Sequence, residues 1–247
     1  MCRAPIAPAP ESPESPETPR DAQYWAKKVD RLSVSEDPKG VGYNVEGRRV
    51  TGPQQGFGRL WQRQYWTDLG DAVSPEDLVA DWRENFGSYW PRTGVFHGSL
   101  GRIEPGDVAA LQVGGAYGPK MATGIIVVYA DDESFTFMTP EGHMFAGMIT
   151  FSGEPGTRAH IRILLRTNDP LWEMAWPVMK RKEDVFWAGT LSNVAAAHGV
   201  VDSVVEDETE CLDRSRMWSH WRNVRHNAGI RSGLHMASAP IRAVRGK

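Results

Sequence analysis

The stretch GIIVVYADDESFTFMTPEGHMFAGMITFSGEPGTRAHIRILLRTNDP, residues 124–170, decides the fold. Four apolar runs, at 124–129, 134–139, 143–151 and 159–166, are strand-sized and separated by turn sequence. Asp131-Asp132-Glu133 offers an Asx-turn, and Thr139-Pro140-Glu141-Gly142 sets proline at the second position of a turn. Connections this short join antiparallel neighbours. In the last run Ile161, Ile163 and Leu165 alternate with His160, Arg162 and Arg166, which predicts one buried and one wet face. The run at 143–151 is largely apolar on both faces and is expected to be covered on both sides. Asp169-Pro170 then starts a helix, with the acid as N-cap and proline in the first turn.

Working outward, Val108–Val113 is one more strand, and residues 59–69 are another. In the latter Leu60, Gln62, Gln64 and Trp66 alternate with Arg59, Trp61, Arg63 and Tyr65. Ser74-Pro75-Glu76-Asp77 is a helix start, after which Leu78, Trp82 and Phe86 mark one face, with Val79 and Tyr89 beside it. Trp90-Pro91 and Gly94 end that helix. Residues 21–34 are expected to form a short helix from the spacing of Trp25, Val29 and Leu32. Beyond Asp169 a helical segment runs to about His198, kinked or split at Pro177. Leu171, Met174, Ala175 and Val178 form one apolar stripe, continued by Val185, Phe186, Leu191, Val194 and Ala195. Gly199 is the stop.

The ends differ in composition. Residues 1–20, rich in Pro, Ser and Glu, are expected to be a disordered tail, because they hold too little apolar surface to offset ordering. A domain is expected over 21–200 and an acidic-then-basic, partly helical extension over 201–247. Glu206, Asp207, Glu208, Glu210 and Asp213 precede a segment from Arg214 to Lys247 with no Asp or Glu. Its 214–226 part is expected to be helical and the end from 229 flexible. A net charge of −3 with one short basic stretch is a weak nucleic-acid footprint, so no nucleic-acid partner is expected. Two cysteines, Cys2 and Cys211, make neither a disulfide framework nor a zinc site. No apolar run approaches the ~18–20 residues of a membrane span, and no signal peptide is seen, so a cytoplasmic location is expected.

Few residues carry a chemical signature. Gly40, Gly42, Gly56, Gly58, Gly114, Gly115 and Gly118 lie outside any strand-to-helix phosphate loop and read as turns and bulges. The seven histidines lack metal-ligand spacing. His143, opening a strand, is a candidate base or hydrogen-bond partner in a cavity, although a structural histidine is the commoner case. Glu133 and Glu141 sit in turns, where carboxylates are solvated, and no carboxylate pair stands out as catalytic. No metal or cofactor is expected. Ten tryptophans point to a wide aromatic core or an aromatic-lined cavity.

Three blocks carry a family resemblance. They are Val50-Thr51-Gly52-Pro53 with 55–62, the segment 129–147, and Asn168-Asp169-Pro170-Leu171 leading to Asp184 and Phe186-Trp187. Together with the element order they resemble the START-like, or SRPBCC, superfamily, and within it a bacterial family defined by a domain of unknown function. The resemblance covers about residues 30–200. It implies an α+β helix-grip fold, a curved antiparallel sheet wrapped around a long C-terminal helix with a cavity between them. It also implies a pocket for an apolar or amphipathic small molecule, lipid- or polyketide-like. Trp82, Phe86, Phe137, Phe145, Trp172, Trp176 and Met179 would wall it, with His143 beside them. Two alternatives stay open: a cyclase or hydratase acting on a polyketide-like substrate, with His143 as the residue to test, and an interaction module with a filled core that forms a homodimer. The iron-ligand set of the superfamily's ring hydroxylases is not visible here.

Overall fold

The computed structural model describes residues 22–34, 42–91, 94–97, 103–113 and 121–239. The tail at 1–20 and the glycines at 40, 114, 115 and 118 lie outside them. Among the described residues there are nine strands: β1 (Val50–Thr51), β2 (Leu60–Asp68), β3 (Gly94–His97), β4 (Val108–Val113), β5 (Met121–Ala130), β6 (Ser134–Pro140), β7 (Phe145–Glu154), β8 (Arg158–Thr167) and β9 (Glu206–Asp213). Three α-helices accompany them: α1 (Pro75–Asn85), α2 (Pro170–Ala197) and α3 (Ala228–Ala237). The sheet order is β3-β4-β5-β6-β7-β8-β2-β9, antiparallel throughout, and β1 pairs with the end of β6. This is the α+β helix-grip architecture: a meander of β3 to β8, the first long strand β2 beside the last, and the long helix α2 packed on β2 and β8.

The local chemistry explains these elements. Ser74 Oγ accepts from Asp77 N at 3.1 Å and starts α1, with Pro75 in its first turn. Asp169 Oδ1 accepts from Leu171 N at 2.9 Å and Trp172 N at 3.1 Å and starts α2. The Asp131 carboxylate accepts from Glu133 N and Ser134 N, the expected Asx-turn between β5 and β6. Gly199, at φ +81°, ends α2 in the left-handed region.

The described core divides into one cluster on the inner side of the sheet and two smaller ones on the outer side. On the inner side, α1 and the single-turn helix after it bring Leu78, Trp82 and Phe86 onto Phe135, Phe137, Phe151, Ile161 and Val127. Phe135 and Phe151 stack with centroids 4.8 Å apart, and Trp82 and Phe86 meet Phe151 edge-on at 5.3 and 5.2 Å. On the outer side, Leu32 and Val45 cover Ile126, and Tyr43 covers Ala110 and Ala122. Strand β7 is approached from outside at Ala146, where a side chain on Gly56 would come within 3.2 Å of its Cβ.

Several expectations need correction. Over the described part of 21–34, residues 22–34, there is no helix beyond the single turn Ala22–Tyr24, because the chain runs out along β5: Ala26 N donates to Val128 O at 2.9 Å, and Trp25 packs on Tyr129 at 4.7 Å. Helix α2 is not split at Pro177 but runs unbroken from Pro170 to Ala197; the missing hydrogen bond is a local loss, and Trp176 on one side and Glu183 on the other hold the helix to the sheet. The acidic stretch is strand β9, which adds to the open edge of β2. The segment after 229 is helix α3, seated on β5; of the stretch 214–226, expected to be helical, residues 218–226 form a 3-10 helix.

The extension is tied to α2 at its start. Asn227 Oδ1 accepts from Ile230 N at 3.0 Å as the N-cap of α3, while its Nδ2 donates to Asp169 Oδ2 at 2.8 Å. One buried amide thus serves two helix caps. Asn227→Ala is expected to lower stability by about 1–2 kcal/mol; urea unfolding checks it, and an unchanged midpoint would show that neither cap depends on Asn227.

Candidate functional site

Strand β2 turns Trp61, Arg63, Tyr65 and Thr67 toward α2. Their neighbours are Leu165, Ile163 and Ile161 on β8, and Cys211, Thr209 and Asp207 on β9. Helix α2 answers with Trp176, Lys180, Glu183, Trp187, Leu191 and Val194, spaced at the three- and four-residue intervals of one helical face. The apolar stripe of the sequence is therefore on the wrong side over its first half: Met174 is 80%, Val178 61% and Val185 75% exposed. A lysine and a glutamate occupy the inner face instead, because β2 presents a guanidinium there.

Arg63 is fully buried. Its Nη1 donates to Glu183 Oε2 at 2.5 Å and its Nη2 to Asp184 Oδ1. Tyr65 Oη donates to Asp184 Oδ1 at 3.0 Å, and Lys180 Nζ to Asp184 Oδ2 at 3.2 Å. The Arg63 guanidinium also lies 5.6 Å from the Trp176 ring and 5.2 Å from Tyr65. Burial pushes the Glu183 carboxyl up to about 7; Arg63 pulls against that rise and Asp184 adds to it. Burial likewise raises the Tyr65 hydroxyl, so it stays a neutral donor.

Three polar atoms of this patch have no hydrogen-bond partner: Arg63 Nε, Trp61 Nε1 and Thr209 Oγ1. Thr209 stands opposite Arg63 in the register, and Trp61 is two residues along the same face. The apolar surroundings are Trp176, 5.6 Å from Trp61, and Phe145, 5.8 Å from Trp176.

The expected pocket residues separate. Trp82, Phe86 and Phe137 lie in the closed aromatic cluster. Phe145 and Trp176 flank the polar set, and Met179 packs on the same core. Trp172 reaches away to the extension, where a side chain on Gly229 would stand 3.1 Å from its ring. His143 lies in the turn before β7; its Nδ1 accepts from Phe145 N at 3.0 Å, and burial lowers its pKa to about 4. Arg63, Tyr65, Lys180 and Glu183 were not anticipated from the sequence. The available signal was the parity of Arg63 with Trp61 and Tyr65, and Asp184 stood in one of the marker blocks. Among the described residues no three His, Cys, Asp or Glu side chains gather as metal ligands, and no helix is long and apolar enough to cross a membrane.

No family model matches the chain, and no curated protein matches it in sequence. Solved structures with a similar chain course include the di-domain ARO/CYC StfQ from the steffimycin biosynthetic pathway, at 11% identity and TM-score 0.42 over 56% of this chain and 50% of that one. The likeness thus spans half of that protein's length. A protein of Mycobacterium smegmatis is similar at 13% identity and TM-score 0.40, over 60% of this chain and 96% of that one. The major latex-like protein 151 of Panax ginseng is similar at 17% identity and TM-score 0.37, over 57% and 99%.

Proposed function

We propose that this protein binds an amphipathic small molecule between β2 and α2, with its apolar body against Trp176 and Phe145 and an oxygen-bearing group at Arg63 and Trp61. The observation that carries this reading is the juxtaposition, on one face of β2 and β9, of Arg63 Nε, Trp61 Nε1 and Thr209 Oγ1, which are among the buried polar atoms without a partner, with the rings of Trp176 and Phe145. A buried donor without an acceptor costs about 1–3 kcal/mol, and native proteins leave few of them. Two N–H donors and a hydroxyl suit a carbonyl, hydroxyl or carboxylate oxygen of a ligand. The aromatic rings beside them suit the rest of it.

Native mass spectrometry of protein purified from its own host, followed by organic extraction, tests this. An added mass of roughly a few hundred daltons is expected on the wild type and is expected to be lost on Trp176→Ala. A bare chain in both, with no change of tryptophan emission on titration with long-chain fatty acids or aromatic polyketides, sinks the reading.

One observation favours chemistry at the same place. Glu183, largely withdrawn from water and pushed up to about 7, can give or take a proton at neutral pH. Glu183→Gln separates the readings: it keeps the bound mass in both cases, and it stops conversion of the extracted compound only in an enzyme.

A further inference from the structure

The basic C-terminal segment returns across the outer face of the sheet and meets a second set of arginines there. Arg48 Nη1 donates to His226 Nδ1 at 2.8 Å. Arg49 donates to Glu141 Oε1 at 2.8 Å, and Arg48 and His226 each reach a Glu141 oxygen at 3.7 Å. Arg231 Nε donates to Asn44 Oδ1 at 2.9 Å and Arg31 Nη1 to Gly47 O at 3.0 Å. Arg231 and Arg31 both lie close enough to Arg48 to repel its charge.

The arrangement is unbalanced. Among the described residues, Glu141 is the one carboxylate paired with these groups. Arg31 and Arg231 are fixed by neutral oxygens, which hold a guanidinium in place without cancelling its charge. The Arg48 side chain is only 11% exposed, so water screens it poorly, while His226 at 40% and Arg49 at 66% leave the group open on one side. Burial, followed by the repulsion of Arg231, lowers the Arg48 pKa, and burial with the same arginines lowers that of His226. A cluster of this kind is stabilised by an anion that several planar guanidiniums can grip at once, and a phosphate group fits their fork geometry.

We infer that Arg31, Arg48, Arg49, Arg231 and His226 form a binding site for a phosphate group, on the face of the sheet opposite α2. The site draws its residues from the chain before β1 and from the start of α3, so it exists only when the extension is docked. It is independent of the small-molecule site proposed above.

The test is a titration of the full chain with inorganic phosphate, set against chloride at equal ionic strength. The melting temperature and the assigned His226 ring resonances are followed. Phosphate is expected to raise the melting temperature saturably and to move the His226 pKa upward, and chloride to do neither. In Arg231→Gln, and separately in the largely exposed Arg49→Gln, which leaves the fold intact by circular dichroism, the apparent affinity is expected to fall at least tenfold and severalfold. Vesicles of phosphatidylcholine with and without phosphatidic acid locate the source. Co-sedimentation only with phosphatidic acid, lost in Arg231→Gln, assigns the phosphate to a lipid headgroup. Saturation by inorganic phosphate without vesicle binding assigns it to a soluble compound. An effect of phosphate no larger than that of chloride, with no vesicle binding, or one unchanged in Arg231→Gln, overturns the inference.

Discussion

Arg63→Ala is expected to destabilise the protein by about 2–4 kcal/mol, because it strips two half-buried carboxylates of their buried cation. Asp184 would then keep Lys180, itself partly exposed, and the Tyr65 hydroxyl, and Glu183 would lose its ion partner. Chemical unfolding of the variant at neutral pH measures the loss. A drop below about 1 kcal/mol would mean that water reaches the site as it reaches a surface ion pair. The companion variant separates stability from function. Arg63→Met combined with Glu183→Leu and Asp184→Asn replaces the charges by groups of similar volume, a change that is often neutral or stabilising for buried ion sets. A stable triple variant that has lost its bound mass would place the value of these charges in recognition.

The same site makes stability depend on pH in a particular direction. Glu183 carries a folded-state pKa of about 7 against an ordinary value of 4.5. The folded state therefore holds its proton more tightly than the unfolded chain. Its contribution is fully present below about 4.5 and is lost as pH rises toward about 7. Burial raises Asp107 and Asp169 as well, which adds a slope of the same sign. The difference between wild type and Glu183→Gln isolates the glutamate: unfolding free energies measured from pH 4.5 to 8 should diverge across that window and run parallel above it.

A chain ending at residue 205 is expected to lose about 5 kcal/mol or more, most of what holds a domain folded. It would lose β9, and β2 would keep a row of unpaired backbone groups along 61–66. Arg166, nearly buried, donates to Gly58 O at 2.6 Å, Ser215 O at 2.9 Å and Asp213 Oδ2 at 2.5 Å; two of the three partners would go, including its carboxylate. On the outer face Ala122 and Asn44 would lose Ser232, which binds both. Soluble yield and hydrogen exchange along β2 check this. Soluble truncated protein with wild-type protection at β2 would show that the extension decorates the sheet and does not support it.

The sequence announces the meander and both helix starts, because turns and caps are local chemistry written in a few adjacent residues. The face of α2 is not local. Hydropathy favours Leu171, Met174, Val178 and Val185 for burial, yet Trp176, Lys180, Glu183 and Trp187 go inside, because Arg63, 120 residues away, waits there. Strand β9 is hidden for a related reason. Acids are poor strand formers, and Glu206–Asp213 becomes a strand only because β2 offers an open edge, with Gln64 donating to Glu208 at 3.3 Å. The segment at 21–34 misleads in the opposite way: Trp25, Val29 and Leu32 have helical spacing, but Val128 and Tyr129 take its backbone and its tryptophan.

The rotation of α2 has a consequence for the order of folding. As a free helix it would offer its methyl-rich side to any apolar surface and keep Lys180 and Glu183 in water. Its native docking turns Trp176, Trp187, Leu191 and Val194 inward along with that pair, so greasy contacts alone do not choose between the two rotations. Only a β2 already in register beside β8 supplies the charge that makes the native rotation the better one. The native rotation is therefore expected to set only after β2 has paired, and the long sequence separation between the two makes such a step slow.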